Sequence, residues 1–422
     1  MLHPGWIFVV CFLLLVVGTS AFRLPLAISL IAAAAVGALL AGFSNPLRHL
    51  VEGGFGYLNL ILALFVGAFF GQATRASGGA DALASILHRL LRNNALVITL
   101  FAGTLLFLVG MFVGIAGVAV LAVGSFVIPM LRGIGMKDVQ VAAFIAVVAT
   151  CGMIAPPVNV PAMTIADGVN MPFADFAGPL LLLSLPPALF AAWYYVPRIA
   201  IAQSVPTPVA AGSLWAGLGA LGAVLGFWTL LRLFPLHIPD PSTPIVLLIG
   251  ALIVLPAIPR SQWSKLFRSS FGGVPLELAA VLVAVGVAVQ VMALTGVRGW
   301  LVINSLSFPH PWILFGLIGL PILGSILTSV GTANILGVPF AFAHIHQDMI
   351  VNVSALSALS ALSEFMPPTA ISAVLATYLV GTVKLGQVLR ASLAPVLVLA
   401  TIAVLVLIFA SQLAPFIVIR SS

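Results

Sequence analysis

Polar side chains are scarce in this chain, and those able to hold an ion or an anion gather at two places. One is Cys151-Gly152-Met153-Ile154-Ala155-Pro156-Pro157-Val158-Asn159, with Thr164 just beyond. The other is Ser363-Glu364-Phe365-Met366-Pro367-Pro368-Thr369, preceded by Thr328-Ser329-Val330-Gly331-Thr332-Ala333-Asn334. Two adjacent prolines inside a helix are expected to break it, since each removes a donor and clashes with the preceding turn. A broken helix frees N–H groups at one end and C=O groups at the other. The N–H end suits a carboxylate and the C=O end suits a cation. Hard cations take oxygen ligands, so hydroxyls, amides and carbonyls would complete such a site.

These positions give the candidates. For a bound anion they are Asn159, Thr164, Asn334 and Thr369. For a coupling cation they are Gly114, Gly117, Pro156, Ser329, Gly331, Thr332, Glu364 and Pro367. Asn159 follows Pro157 by two residues, where its amide either contacts the solute or caps the next half-helix. The Ser329 and Thr332 hydroxyls flank a glycine turn, as an ion site needs; packing or capping is the alternative. Glu364 stands three residues before Pro367, at the end of an apolar run. A carboxylate in a bilayer is a functional-site hypothesis by default. It could ligate Na⁺, carry a proton, pair with His344 or His346, or lie solvated at a helix end. Asp167, Glu277 and Asp348 read as surface or interfacial groups. His344-Ile345-His346 lacks the further ligands of a metal site. There is no Walker A sequence and no nucleophile–base pair, so the chain is expected to be neither an ATPase nor another enzyme.

The elements that position these residues must lie in a membrane. The chain has 422 residues, of which 62% are hydrophobic and 6% charged. A soluble domain carries roughly 25% charged residues. The uncharged runs 176–197, 203–231 and 391–419 exceed the roughly 20 residues that cross a bilayer. Ten to twelve spans are expected. The N-terminal stretch from Met1 to Ser20 has no Lys or Arg ahead of its apolar core and reads as a retained helix. The net charge of +7 sits in short loops, which points to topology rather than nucleic acid. The loop Arg260-Ser261-Gln262-Trp263-Ser264-Lys265-Leu266-Phe267-Arg268 has three cations and no acid, so it is expected on the cytoplasmic side. Arg89 and Arg92 mark a second such loop; Arg48, Arg132, Lys137 and Arg198 blur the pattern. Cys11 and Cys151 have neither disulfide-framework nor metal spacing.

The two halves align. Leu58-Asn59-Leu60 opens an apolar helix ending near Ser77-Gly78; Leu276-Glu277-Leu278 opens another ending near Thr295-Gly296, both displaced by 218 residues. Gly114 and Pro129 are 15 apart, as are Gly324 and Pro339. From Pro129 to Pro156 is 27 residues, and from Pro339 to Pro367 is 28. Ordered matches of this kind mark an internal repeat. Each copy is expected to hold a long arm helix, a Gly-rich hairpin and a broken helix. The hairpins are placed at 110–129 and 324–339, with arms too short to cross a bilayer at about 1.5 Å per residue, so they are expected to be re-entrant.

Several segments resemble the large membrane subunit of tripartite ATP-independent periplasmic (TRAP) transporters, within the ion transporter superfamily. Phe22-Arg23-Leu24-Pro25-Leu26-Ala27 is similar to that family's early G-x-P-I-A segment. Leu64-Phe65-Val66-Gly67 through Ala76-Ser77-Gly78 is similar to its helix ending in S-G. Cys151 through Pro157 resembles its G-x-L-I-P-P-S signature, and Glu364 through Thr369 its L-I-T-P-P-V-G copy. The resemblance covers nearly the whole chain. It departs at the first hairpin, where Gly114-Ile115-Ala116-Gly117-Val118 replaces a Ser-rich tip and lacks the hydroxyls that one sodium site would draw on.

The resemblance implies an all-α polytopic protein of the bacterial inner membrane. It implies an elevator-type fold of two inverted repeats, each with a re-entrant hairpin and a broken helix. It further implies Na⁺ as coupling ion, an organic acid anion such as a C4-dicarboxylate as substrate, a small membrane (Q) subunit and an extracytoplasmic solute-binding protein. The expected organisation is N-terminal scaffold helices at 1–55, a first repeat at 56–200, linking helices with the basic loop at 201–270, and a second repeat with a C-terminal helix at 271–422. A proton-coupled or antiporting carrier, or a non-transporting membrane subunit, is the alternative.

Overall fold

A computed structural model describes residues 2–92, 94–197, 211–233, 242–306 and 310–418, and every regular element among them is helical. Arg198 and parts of the 201–270 linker lie outside the described residues. The first half contains α1 (Pro4–Ser20), α2 (Leu26–Leu40), α3 (Leu47–Phe55), α4 (Leu58–Ala76), α5 (Gly79–Leu90), α6 (Ala95–Val113), α7 (Ala116–Gly133), α8 (Asp138–Ile154), α9 (Val160–Gly168) and α10 (Ala177–Tyr195). Then come α11 (Ala211–Leu233), α12 (Thr243–Val254), α13 (Trp263–Phe271), α14 (Val274–Leu294), α15 (Val297–Leu306), α16 (His310–Thr332), α17 (Val338–Ala343), α18 (Met349–Ala361), α19 (Ile371–Val380), α20 (Leu385–Ile408) and α21 (Ala410–Ile417).

Among the described residues seven helical segments are long and apolar enough to cross a membrane. The chain is a multi-pass membrane protein by this measure. Helices suit that role because they satisfy every backbone group internally. The count is below the ten to twelve expected because several apolar stretches are short helices. α1 and α2 have 17 and 15 residues, and both Pro-Pro regions cut their helices into pieces.

The two long helices α4 and α14 end alike, α4 at Ser77 before Gly78 (φ 73°) and α14 at Thr295 before Gly296 (φ 75°). Glycine adopts this left-handed backbone without the Cβ penalty. Each is preceded by a short helix that packs on the other: α3 on α14, and α13 on α4. Close approach makes glycine necessary at both crossings. A Cβ on Gly71 of α4 would collide with the Leu121 carbonyl of α7, and one on Gly286 of α14 with the Gly53 carbonyl of α3. The core is deepest along α7 and α8, buried over nearly their whole length.

The hairpins depart from the expected boundaries. α6 and α7 form the first, joined at Gly114 (φ 69°) and Ile115. Their 19 and 18 residues are enough to cross, so arms counted from Gly110 and to Pro129 were too short. Pro129 lies inside α7, and Pro339 lies in the first turn of α17. Neither proline ends an arm, because a membrane helix tolerates proline where its surroundings satisfy the freed carbonyl. The second hairpin turns at Thr328 (φ 63°, ψ 170°) inside α16, the first residue of the expected polar turn Thr328–Asn334. A π-helical segment, Ala333–Gly337, then leads into α17.

The breaks are where the sequence placed them. α8 stops at Ile154 and α9 starts at Val160; Pro156–Pro157 lies between them with a cis peptide bond. α18 passes into a 3₁₀ turn, Leu362–Phe365, and α19 starts at Ile371 beyond the cis Pro367–Pro368 bond. Yet a proline pair does not by itself break a helix. Pro186 and Pro187 sit inside α10, which continues to Tyr195.

Candidate functional site

The second break holds a buried carboxylate. Glu364 is 3% exposed and lies in the 3₁₀ turn that closes α18. Ser329, one residue past the hairpin turn, donates its hydroxyl to Oε1 at 2.7 Å. Ser372, in the first turn of α19, donates its backbone N–H to Oε2 at 3.0 Å and its hydroxyl at 2.6 Å. The carboxylate therefore joins the hairpin, the end of one half-helix and the start of the next. Three donors meet it, and no ion pair to Glu364 exists among the described residues.

Thr328 lies beside this node. Its φ and ψ fall in a region that glycine alone occupies freely, a costly place for a β-branched residue. Its buried Oγ1 has no hydrogen-bond partner. A cavity of about 20 Å³ touches Thr328, Ser329 and Glu364 on one side and Ile115 and Gly117 of the first hairpin on the other. That space is about enough for one water-sized occupant. Both hairpin tips thus meet at one small chamber, walled mainly by apolar side chains and edged by Thr328, Ser329 and Glu364.

The other candidates of this half divide. Thr332 is fully buried and donates to the Thr328 carbonyl at 2.6 Å, while also lying against Gly324 of the opposite arm. Thr369 donates its hydroxyl (2.6 Å) and its N–H (3.1 Å) to the Ser325 carbonyl, fastening the loop after the prolines to the hairpin. Gly331 packs on Val285 of α14. Asn334, in the π-helical segment, has a buried Oδ1 without a partner. Pro367 is exposed. His344 Nδ1 donates to the Phe340 carbonyl (2.9 Å), and no metal-binding group of three His, Cys, Asp or Glu side chains occurs among the described residues.

At the first break, Asn159 is fully buried and is the N-cap of α9. Its Oδ1 accepts from the Ala162 N–H (2.9 Å), and its Nδ2 donates to the Ile154 carbonyl (2.9 Å) and to Ser357 Oγ (3.1 Å). Both amide hydrogens are engaged within the protein. Thr164 donates to the Val160 carbonyl. Gly114 sits where a Cβ would come within 2.7 Å of Val158, so the hairpin tip rests on the loop carrying half-buried Pro156. Gly117 packs on Ile371 and Leu375 of α19, and Gly337 packs on Ile165 of α9. Each hairpin therefore touches the broken helix of its own half and that of the other half.

Sequence reasoning missed Ser372 and Ser357. Ser372 acts partly through its backbone N–H, which no residue type announces. Ser357 belongs to a readable series, Ser354, Ser357, Ser360 and Ser363, all buried at three-residue spacing along α18 and its 3₁₀ turn. Small residues of this kind allow close helix approach in a membrane. Asp138, outside the candidates, accepts from Arg132 Nε (2.8 Å) and from the Thr382 hydroxyl, tying the end of the first hairpin to the loop after α19. A scan of protein-family models and a search of curated proteins find no match to this chain.

Proposed function

We propose that this chain is a secondary active transporter that takes up an organic acid anion, a C4-dicarboxylate or related carboxylate, with Na⁺ as the coupling ion. The observation that carries this reading is the buried Glu364 node at a broken helix, reached by both hairpin tips. Two interrupted helices near one another are how carriers expose backbone dipoles to solute and ion inside a bilayer. The paired arm-helix ends and crosswise packing of α3 and α13 support two inverted repeats. With the TRAP-like motifs, they support an elevator-type permease working with a small membrane subunit and an extracytoplasmic binding protein, in a bacterial inner membrane. Glu364, Ser329 and Thr328 would supply oxygen ligands to Na⁺, with carbonyls at the hairpin turn. The α9 N-terminus would face the carboxylate of the solute.

Proton coupling is a second reading, favoured by one observation. Both oxygens of Glu364 already face donors, and the Ser329 hydroxyl can reverse to accept a proton carried on Oε1. The test is uptake of a panel of organic acids into proteoliposomes under separate Na⁺ and pH gradients, with and without candidate partners. Concentrative uptake that follows Na⁺ supports the first reading, and uptake that follows ΔpH alone supports the second. No solute movement under any gradient or partner combination would discard transport.

A further inference from the structure

We propose that α13 is a docking surface for anionic phospholipid headgroups. The helix is sharply two-sided. Leu266 and Ser270 are buried, and Phe267 and Phe271 pack on Phe69 and Phe65 of α4 at ring-centroid distances of 5.1 and 5.6 Å. The same two phenylalanines remain 43% and 42% exposed, so the aromatic edge reaches past α4. Arg260, Lys265 and Arg268 are exposed, and none is in an ion pair among the described residues. The nearest acid in sequence, Glu277, is exposed in the first turn of α14 and pairs with none of them. Gly273 (φ 60°) separates α13 from α14.

Such a helix fits neither hydrocarbon nor open water. Cations in the bilayer core are costly, and exposed phenylalanines beside them favour the headgroup boundary. The comparison with α3, its counterpart before α4, decides the partner. α3 also exposes large apolar groups, Leu47, Val51 and Phe55, but its Arg48 is paired with Glu52 at 2.8 Å and His49 also contacts Glu52. α13 and the 3₁₀ turn just ahead of it, Arg260–Gln262, keep three uncompensated positive charges. Juxtamembrane cations of this kind attract acidic lipid strongly enough to favour it on the order of fivefold per cation.

The test uses the full chain in liposomes and the fluorescence of Trp263, isolated by subtracting the signal of Trp263→Phe. Brominated phosphatidylglycerol is expected to quench Trp263 at a mole fraction about fivefold or more below brominated phosphatidylcholine. In the Arg260→Gln, Lys265→Gln, Arg268→Gln triple variant the two lipids should quench alike. The charge-keeping variant Arg260→Lys, Lys265→Arg, Arg268→Lys should retain the preference, and about 1 M NaCl should abolish it by screening. These side chains are exposed, and an unchanged circular dichroism spectrum checks the fold. Equal quenching by both lipids in the wild type, no quenching by either, or a preference that survives in the triple Gln variant overturns the proposal.

Discussion

Asn159 donates its amide to Ser357 Oγ across 3.1 Å, joining residues 198 positions apart. The break of the first half is thereby hydrogen-bonded to the helix that leads into the break of the second. Asn159→Ala removes the N-cap, which costs about 1–2 kcal/mol, and also leaves the Ile154 carbonyl without its donor. Asn159→Ser keeps a cap acceptor and should recover part of the loss. Thermal unfolding in detergent reads both. Equal midpoints for the Ala and Ser variants would show that capping is not what Asn159 supplies.

Glu364→Gln should leave the protein folded and lose gradient-driven uptake. The glutamine oxygen can accept from Ser372, and its amide can donate to Ser329 once that hydroxyl turns. A midpoint within a few degrees of wild type, with uptake lowered about tenfold or more, is expected. A tenfold change corresponds to about 1.4 kcal/mol. Full uptake by the Gln variant would remove Glu364 from the coupling step. Glu364→Ala should instead destabilise by about 1.5–3 kcal/mol, because its hydrogen bonds vanish together and leave the buried Ser329 and Ser372 donors without their acceptor.

Thr328 predicts opposite signs for stability and activity. Thr328→Gly relieves a backbone strain of about 1–3 kcal/mol and removes a buried hydroxyl that has no partner. The unfolding midpoint should rise while uptake falls. An unchanged or lower midpoint refutes the strain, and unchanged uptake refutes a role for the hydroxyl in the chamber.

Glycine-to-alanine substitutions should separate sharply by position. Gly71→Ala forces a methyl onto the Leu121 carbonyl, and overpacking costs about 1–3 kcal/mol even against movable side chains. Folded yield of Gly71→Ala should collapse. Gly222→Ala in α11 has nothing within 4 Å of the added Cβ and should be neutral or stabilise by up to about 1 kcal/mol. Comparable yields from both would contradict the packing of α4 on α7.

Much of this was legible in the residues. Ser77-Gly78 and Thr295-Gly296 announced the ends of α4 and α14, because a left-handed cap needs glycine. Glu364 stood out as a charge in apolar sequence and proved to be buried, hydrogen-bonded to Ser329, itself a separate ion-site candidate. Ser372 was not legible, since its position depends on how the chain turns back after Pro368. Hairpin lengths were misread because glycine and proline were taken as ends, whereas Pro129 is carried inside α7. Pro186 and Pro187 make the same point: what separates α8 from α9 is the whole loop through Asn159, not the imino acids alone.

The contact of Gly71 with Leu121 limits how this protein can move. Two backbones seated directly on each other cannot glide past one another by rotating side chains; they must first lift apart. A slip plane therefore cannot run between α4 and α7. If the second break and its hairpin travel across the membrane, α4 rides with the first hairpin as cargo rather than standing still as a rail.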